Sequence, residues 1–303
     1  MTEMTERAED GHRTVPVERL KLGDHACMSV RGGESPWKVF TAYTRTSLAR
    51  REKVLLVMTP DDMNDDDVVA FLDDGSGRVA EARDSGQLSL KRTTEMYLPD
   101  GRFDKDRTID LYTAEVDRAA GEGWAALRLT ADMSWAPEIG LDHERLLDYE
   151  ASVAPLFADP LFTAICWYDH ARFGDRLLDD MHKVHPLRVM ENLDALDVTG
   201  TPDGSRIAGS AGLDTRVEFV EALREALSRR NAPGPARRLL DLRDLCFMEA
   251  HCAWQLISLA GSLPEGSEVT VRCGELLALV LRQLGADDVP QLVLSVEEDE
   301  VAV

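Results

Sequence analysis

The pentapeptide Val54-Leu55-Leu56-Val57-Met58 is apolar without a break. A strand with one wet face alternates polar and apolar residues. An unbroken run of this length belongs to a strand covered on both faces, the condition of a parallel sheet between helices. Further strands are expected at residues 88–91, 125–129 and 162–167, with helical patterns between them, notably 108–120 and 144–157. Strands alternating with helices of ten or more residues imply a doubly wound α/β unit, ending near Val189. The segment Thr-Pro-Asp-Asp-Met-Asn-Asp-Asp-Asp (59–67) has five aspartates between 61 and 67. It lacks the central glycine and closing glutamate of an EF-hand loop, and acids at a helix start explain it better.

A second, smaller pattern follows. Short β runs at 196–198 and 206–208 flank Asp203-Gly204, a hairpin signal. An amphipathic helix is expected at 215–229, strands at 238–242, 268–271 and 292–296, and helices at 250–260 and 276–284. The chain therefore divides into a loose tail (1–14), a first domain (15–190), a link (191–195), a second domain (196–297) and an acidic tail (298–303).

Composition narrows the function classes. With 56 acidic against 34 basic residues, the chain carries a net charge of -22. Such a surface repels phosphate backbones and anionic lipid, so neither nucleic acid nor membrane is an expected partner. The polar, acidic first residues do not make a signal peptide, and no apolar run is long enough to span a bilayer. Five scattered cysteines fit reduced thiols, and the expected location is the cytoplasm. Arginine in preference to lysine, with abundant Ala, Asp and Leu, fits a GC-rich actinobacterial source.

Residues 22–30 (LGDHACMSV), 51–58 (REKVLLVM), 96–109 (MYLPDGRFDKDRTI), 126–136 (ALRLTADMSWA), 146–151 (LLDYEA), 165–173 (ICWYDHARF) and 185–189 (HPLRV) resemble, in order, the methanogen/methylotroph sensory domain, MEDS. The resemblance implies a fold related to RecA/KaiC-type ATPases and a role in sensing small molecules, including hydrocarbon derivatives. A phosphate-cradling loop requires G-x-x-x-x-G-K-[ST]. Here Ser-Val-Arg-Gly-Gly-Glu-Ser-Pro-Trp-Lys (29–38) retains Gly32, Gly33 and Lys38 but no Gly-Lys-Ser/Thr, and Pro36 is expected to break the helix start. ATP turnover is not expected, and no nucleophile-elbow motif supports a hydrolase. The reading is of a non-enzyme; a residual nucleotide-binding or hydrolytic enzyme is the alternative.

On a RecA-like frame, ligands bind beyond the carboxyl ends of the strands. His25, Cys27, Arg128, Asp132, Trp135, Cys166, Tyr168, Asp169 and His185 are then the ligand-site candidates. Trp135 and Tyr168 would supply apolar walls, and Arg128, Asp132 and Asp169 orienting charge. His25, Cys27, Cys166 and His185 would also suit zinc or haem iron. Only His25-x-Cys27 is closely spaced, however, so structural hydrogen bonds and buried thiols are the preferred account, with no metal expected. A small organic molecule is the expected ligand.

Residues 194–297, through IAGSAGLDTR (207–216), RRLLDLRDLCFMEAHCAWQLISLA (237–260) and LRQLGADDVPQLVLS (281–295), resemble a STAS domain, the fold of anti-sigma-factor antagonists. The resemblance implies docking to an anti-sigma factor or kinase-like regulator. The family's phosphorylated hydroxyl lies in a loop that here reads Glu249, Ala250, His251, Cys252. The phospho-switch is therefore absent, while these four residues mark the expected docking loop. A homodimer is left open.

Overall fold

The computed structural model describes residues 13–31, 36–59, 63–228 and 237–297. The chain divides into two compact units, Met1–Glu191 and Asn192–Val303. Among the described residues no helix is long and apolar enough to cross a membrane.

In the first unit the elements run β1 (Arg13–Val15), β2 (His25–Val30), α1 (Trp37–Ala49), β3 (Lys53–Met58), α2 (Asp65–Leu72), α3 (Arg78–Asp84), β4 (Leu88–Arg92), α4 (Thr93–Met96), α5 (Lys105–Gly121), β5 (Leu127–Asp132), α6 (Trp135–Glu138), α7 (His143–Val153), β6 (Phe162–Asp169), α8 (Asp175–Val184) and β7 (Leu187–Val189). The seven strands form one sheet in the order β1-β7-β2-β6-β5-β3-β4. Every pairing in it is parallel. The apolar run 54–58 forms β3, buried along its whole length between β5 and β4, as a two-sided strand must be. The aspartates at 65–67 form the first turn of α2, capped by Asn64, whose side chain accepts a hydrogen bond from the Asp67 amide at 2.9 Å. Asp61 and Asp62, like Gly32 and Gly33, lie outside the described residues.

Three expectations are corrected. Arg13 and Thr14, assigned to the tail, belong to β1, which satisfies its backbone along the edge of β7. Pro36 does not break a helix: it caps α1, where its missing N–H would have had no intrahelical acceptor. The strand expected at 125–129 begins two residues later and runs to Asp132.

The second unit contains β8 (Leu196–Thr201), β9 (Gly204–Ala211), α9 (Arg216–Ser228), β10 (Arg237–Asp241), β11 (Leu245–Met248), α10 (Ala250–Gly261), β12 (Glu268–Gly274), α11 (Glu275–Gln283) and β13 (Leu292–Glu297). Its sheet is mixed, in the order β11-β9-β10-β12-β13, with β8 antiparallel to β9 across the Asp203-Gly204 turn. Gly204 faces Leu239 across the β9–β10 pairing, where a Cβ would stand 1.8 Å from the Leu239 carbonyl oxygen. Only a residue without a side chain permits that approach. The edge strand β11 was not anticipated, and Glu297 closes β13 and pairs with Arg243.

Candidate functional site

Alternate residues of a strand face opposite sides of the sheet. On β2, His25 and Cys27 share a side, and the register Cys27↔Cys166 puts Cys166 and Tyr168 of β6 on that same side. Helix α7 supplies the cover. It starts at Asp142, whose side chain accepts from the Arg145 amide at 2.9 Å, and its buried positions are Leu146, Tyr149, Glu150 and Val153. That i, i+3, i+4, i+7 spacing is an inward-facing stripe, and a carboxylate occupies one of its positions. Helix α8 ends at His185, which caps it: its ring Nδ1 lies 2.8 Å from the Met181 carbonyl oxygen, one turn back.

Four donors therefore meet. The Nε2 atoms of His25 and His185, the Sγ of Cys166 and a Glu150 oxygen all lie within 4.8 Å of one another, and all four residues are buried. Glu150 Oε2 is 3.7 Å from His25 Nε2, 3.5 Å from His185 Nε2 and 4.0 Å from Cys166 Sγ. Cys166 Sγ is 3.6 Å from His25 Nε2. The other Glu150 oxygen accepts a 2.7 Å hydrogen bond from the Tyr168 hydroxyl. His25 stacks on Phe157, ring centroids 4.0 Å apart, and its ring lies 4.2 Å from that of His185. Among the described residues His185 Nε2 has no hydrogen-bond partner.

The electrostatics follow from burial. Desolvation, and then the neighbouring His185, holds His25 well below the ordinary histidine range, so its ring is neutral at neutral pH. Desolvation, then Glu150 and Cys27, pushes the Cys166 thiol well up. Cys27 is pushed up to about 12, chiefly by burial, and its thiol points to the Leu187 carbonyl at 3.7 Å. The His25 ring is therefore neutral and the Cys166 thiol protonated beside the Glu150 carboxyl group, with the Cys27 thiol, also protonated, next to them. Chemically the cluster is a set of nitrogen, sulfur and oxygen donors able to share a proton or close on a cation.

Residues 24–186 match the family model of the methanogen/methylotroph, DcmR sensory domain, MEDS, more than half of the chain. The chain belongs to the MEDS family. No curated protein matches it. The matched segment opens one residue before His25 and closes one residue after His185, so all four donors fall inside the MEDS match. The family supports a sensing or signalling role.

The remaining candidates in the MEDS unit do not converge with the four donors on a cleft at the strands' carboxyl ends. Arg128 lies at the amino end of β5, where its guanidinium grips Glu52, just before β3, with bonds of 2.8 and 3.1 Å. It is a buried structural cation and not an orienting charge for a ligand. Trp135 is sealed in an aromatic core, stacked on Tyr97 with centroids 4.5 Å apart. Asp132, the last residue of β5, accepts from the Ser134 amide at 2.8 Å and from the amide and hydroxyl of Thr59. Asp169, the last residue of β6, accepts from the Ala171 amide at 2.8 Å and shapes the turn there. Tyr168 is fully buried and works through its hydroxyl on Glu150. Of the nine candidates, His25, Cys166 and His185 meet directly, with Tyr168 and Cys27 beside them. Glu150 was missed. Its signal was a carboxylate on the inward stripe of α7.

In the second unit, Glu249 caps α10 and forms a two-pronged ion pair with Arg216, at 2.5 and 2.9 Å. Ala250 and His251 are exposed. Cys252 is buried, because the first turn of α10 directs it into the core. It is therefore not available as part of a docking surface. The Arg216–Glu249 pair joins the amino ends of α9 and α10, and a Cβ on Gly212 would stand 3.6 Å from the Phe247 ring. Leu213, Val217, Phe247 and Trp254 are each more than half exposed: Leu213 and Val217 lie close to Arg216 in the chain, Phe247 lies against Gly212, and Trp254 lies beside His251.

Proposed function

We propose that the chain is a cytoplasmic signalling protein whose MEDS unit, on a RecA-like frame, binds a small organic molecule and governs a STAS-like second unit that docks an anti-sigma factor or similar kinase-like regulator. The protein performs no turnover of its own, and the ligand acts by favouring one of two arrangements that differ in their presentation of the docking end. The observation that carries this reading is the MEDS match over residues 24–186, followed by a separate compact unit. What supports docking is the exposed apolar group of Leu213, Val217, Phe247 and Trp254 beside His251 and Glu249. An apolar patch with a polar rim is the usual make-up of a recognition surface. The loop at 249–252 holds no serine or threonine, so the docking is not switched by loop-serine phosphorylation.

The test is affinity capture from the native cytosol with the full chain and with a Phe247→Ser/Trp254→Ala variant. The expected result is a sigma-regulatory protein retained by the wild type and lost from the variant. Capture that yields no such protein, or yields it equally with both baits, would overturn the docking claim.

A further inference from the structure

We propose that His25, Glu150, Cys166 and His185 form a binding site for one divalent transition-metal ion, with two nitrogen, one sulfur and one oxygen donor. The distances favour this over a network of hydrogen bonds. Nitrogen–oxygen hydrogen bonds close to about 2.7–3.2 Å, whereas the two imidazole–carboxylate separations are 3.7 and 3.5 Å. Around a tetrahedral ion with bonds of about 2.0–2.1 Å to nitrogen or oxygen and about 2.3 Å to sulfur, neighbouring donors stand about 3.3–3.6 Å apart. Four of the six edges of the cluster, at 3.5, 3.6, 3.7 and 4.0 Å, lie within a few tenths of an ångström of that figure, and the other two, from His185 to His25 and to Cys166, lie within 4.8 Å and would shorten as the side chains close on the ion.

Donor chemistry points the same way. The Nδ1 of His185 faces a carbonyl oxygen, which can only accept, so that nitrogen carries the proton. Nε2 is the ring's remaining nitrogen, buried, without a hydrogen-bond partner among the described residues, and turned toward Glu150 Oε2. At 3.5 Å the two atoms stand farther apart than a hydrogen bond would hold them. A shared proton would draw the pair to about 2.7–2.9 Å; a metal ion accounts for the longer separation.

The supporting contacts are those of a metal site. The Met181 carbonyl orients one imidazole, and the Tyr168 hydroxyl holds the far oxygen of Glu150 while leaving Oε2 turned inward. Glu150 pairs only with the two imidazoles and has no Lys or Arg against it among the described residues. A dication with one thiolate and one carboxylate gives a neutral buried centre, which removes the cost of that lone carboxylate. On binding, the Cys166 S–H bond breaks, a sulfur–metal bond forms, and the proton leaves to solvent. Nothing is oxidised. Nitrogen and sulfur donors select Zn²⁺ and its neighbours over Mg²⁺ or Ca²⁺. Four protein donors leave no open position, so the ion is held as a clasp between β2, α7, β6 and the segment after α8, not as a hydrolytic centre.

The test uses the full chain, stripped with chelator, checked for native circular dichroism and titrated with Co²⁺ and Zn²⁺. One equivalent of Co²⁺ is expected, with the visible bands of a tetrahedral site and a sulfur-to-cobalt charge-transfer band. Cys166→Ser should abolish the charge-transfer band, while Cys27→Ser should keep it. Glu150→Gln, nearly identical in shape, guards against a misfolded cysteine variant and should weaken uptake at least tenfold while the native spectrum persists. A natively folded wild type that takes up neither ion would overturn the site. So would a charge-transfer band that survives Cys166→Ser and disappears in Cys27→Ser, or uptake unchanged in Glu150→Gln. None of these results would touch the sensing role, which rests on the family match.

Discussion

Glu52 and Glu150 are buried to nearly the same degree, 2% and 1% exposed, in the same unit and beneath the same sheet architecture, yet they are treated in opposite ways. Glu52 meets a guanidinium fork that uses both of its oxygens, and Arg128, itself 2% exposed, also lies over the Tyr43 ring at 5.8 Å. Charge and hydrogen-bonding capacity are both used up there. Glu150 has one oxygen satisfied by Tyr168, while the other faces two imidazoles and a thiol at 3.5–4.0 Å, none with a permanent positive charge. Burial alone therefore does not distinguish a structural carboxylate from a functional one. The distinction lies in whether the partners carry fixed charge and whether every lone pair is taken.

Breaking the closed pair should have the largest effect. Arg128→Ala strands a buried carboxylate and should cost about 3–5 kcal/mol in urea unfolding, while Arg128→Met with Glu52→Leu should recover most of that loss. Next comes Tyr168→Phe, which removes the donor to Glu150 Oε1 and should cost about 1–3 kcal/mol; a cost as large as that of Arg128→Ala would mean that Glu150 is charged and unrelieved. Tyr43→Phe sacrifices a 3.3 Å hydrogen bond to the Thr163 carbonyl and should cost about 0.5–1.5 kcal/mol. The smallest effect is expected from Glu150→Gln in metal-free protein, within about 1 kcal/mol of wild type, because no fixed cation is left behind. In wild type, an ion present at a hundred times its dissociation constant should add about 2.7 kcal/mol, an increment that Glu150→Gln should lose. Equal destabilisation by Glu150→Gln and Arg128→Ala without metal would erase the contrast between the two carboxylates.

Much of the fold was legible because two-sided strands advertise themselves. The run at 54–58 is apolar throughout, that at 162–167 is interrupted only by Thr163, and Asp203-Gly204 announces its hairpin. Of the strands that escaped, β1, β7 and β11 have three or four residues each and lie too close to the loops to show a period, and β2, six residues long and buried throughout, has His25 and Ser29 breaking its apolar run. Helix α1 escaped because its buried face includes Thr44 and Ser47, which blurs the apolar stripe. In the site, His25, Cys166 and His185 stood out by residue type. Glu150 was passed over because a glutamate in an amphipathic helix is ordinarily read as facing solvent, although its neighbours Leu146, Tyr149 and Val153 place it inward. Arg128 stood out for the wrong reason. Its partner, Glu52, lies 76 residues earlier, a distance at which pairing leaves no local trace.

The position of β2 has a consequence for the order in which this molecule comes into being. β2 precedes β6 and β7 in the chain, and it lies between them in the sheet. During synthesis both hydrogen-bonding edges of β2 wait for partners made long afterwards; the contact between His25 and Cys166 spans 141 residues. High sequence separation makes such contacts slow to form. The four-donor cluster therefore cannot exist in a nascent chain or in a fragment ending before His185. It comes together only when the first unit is complete, and it records that completion.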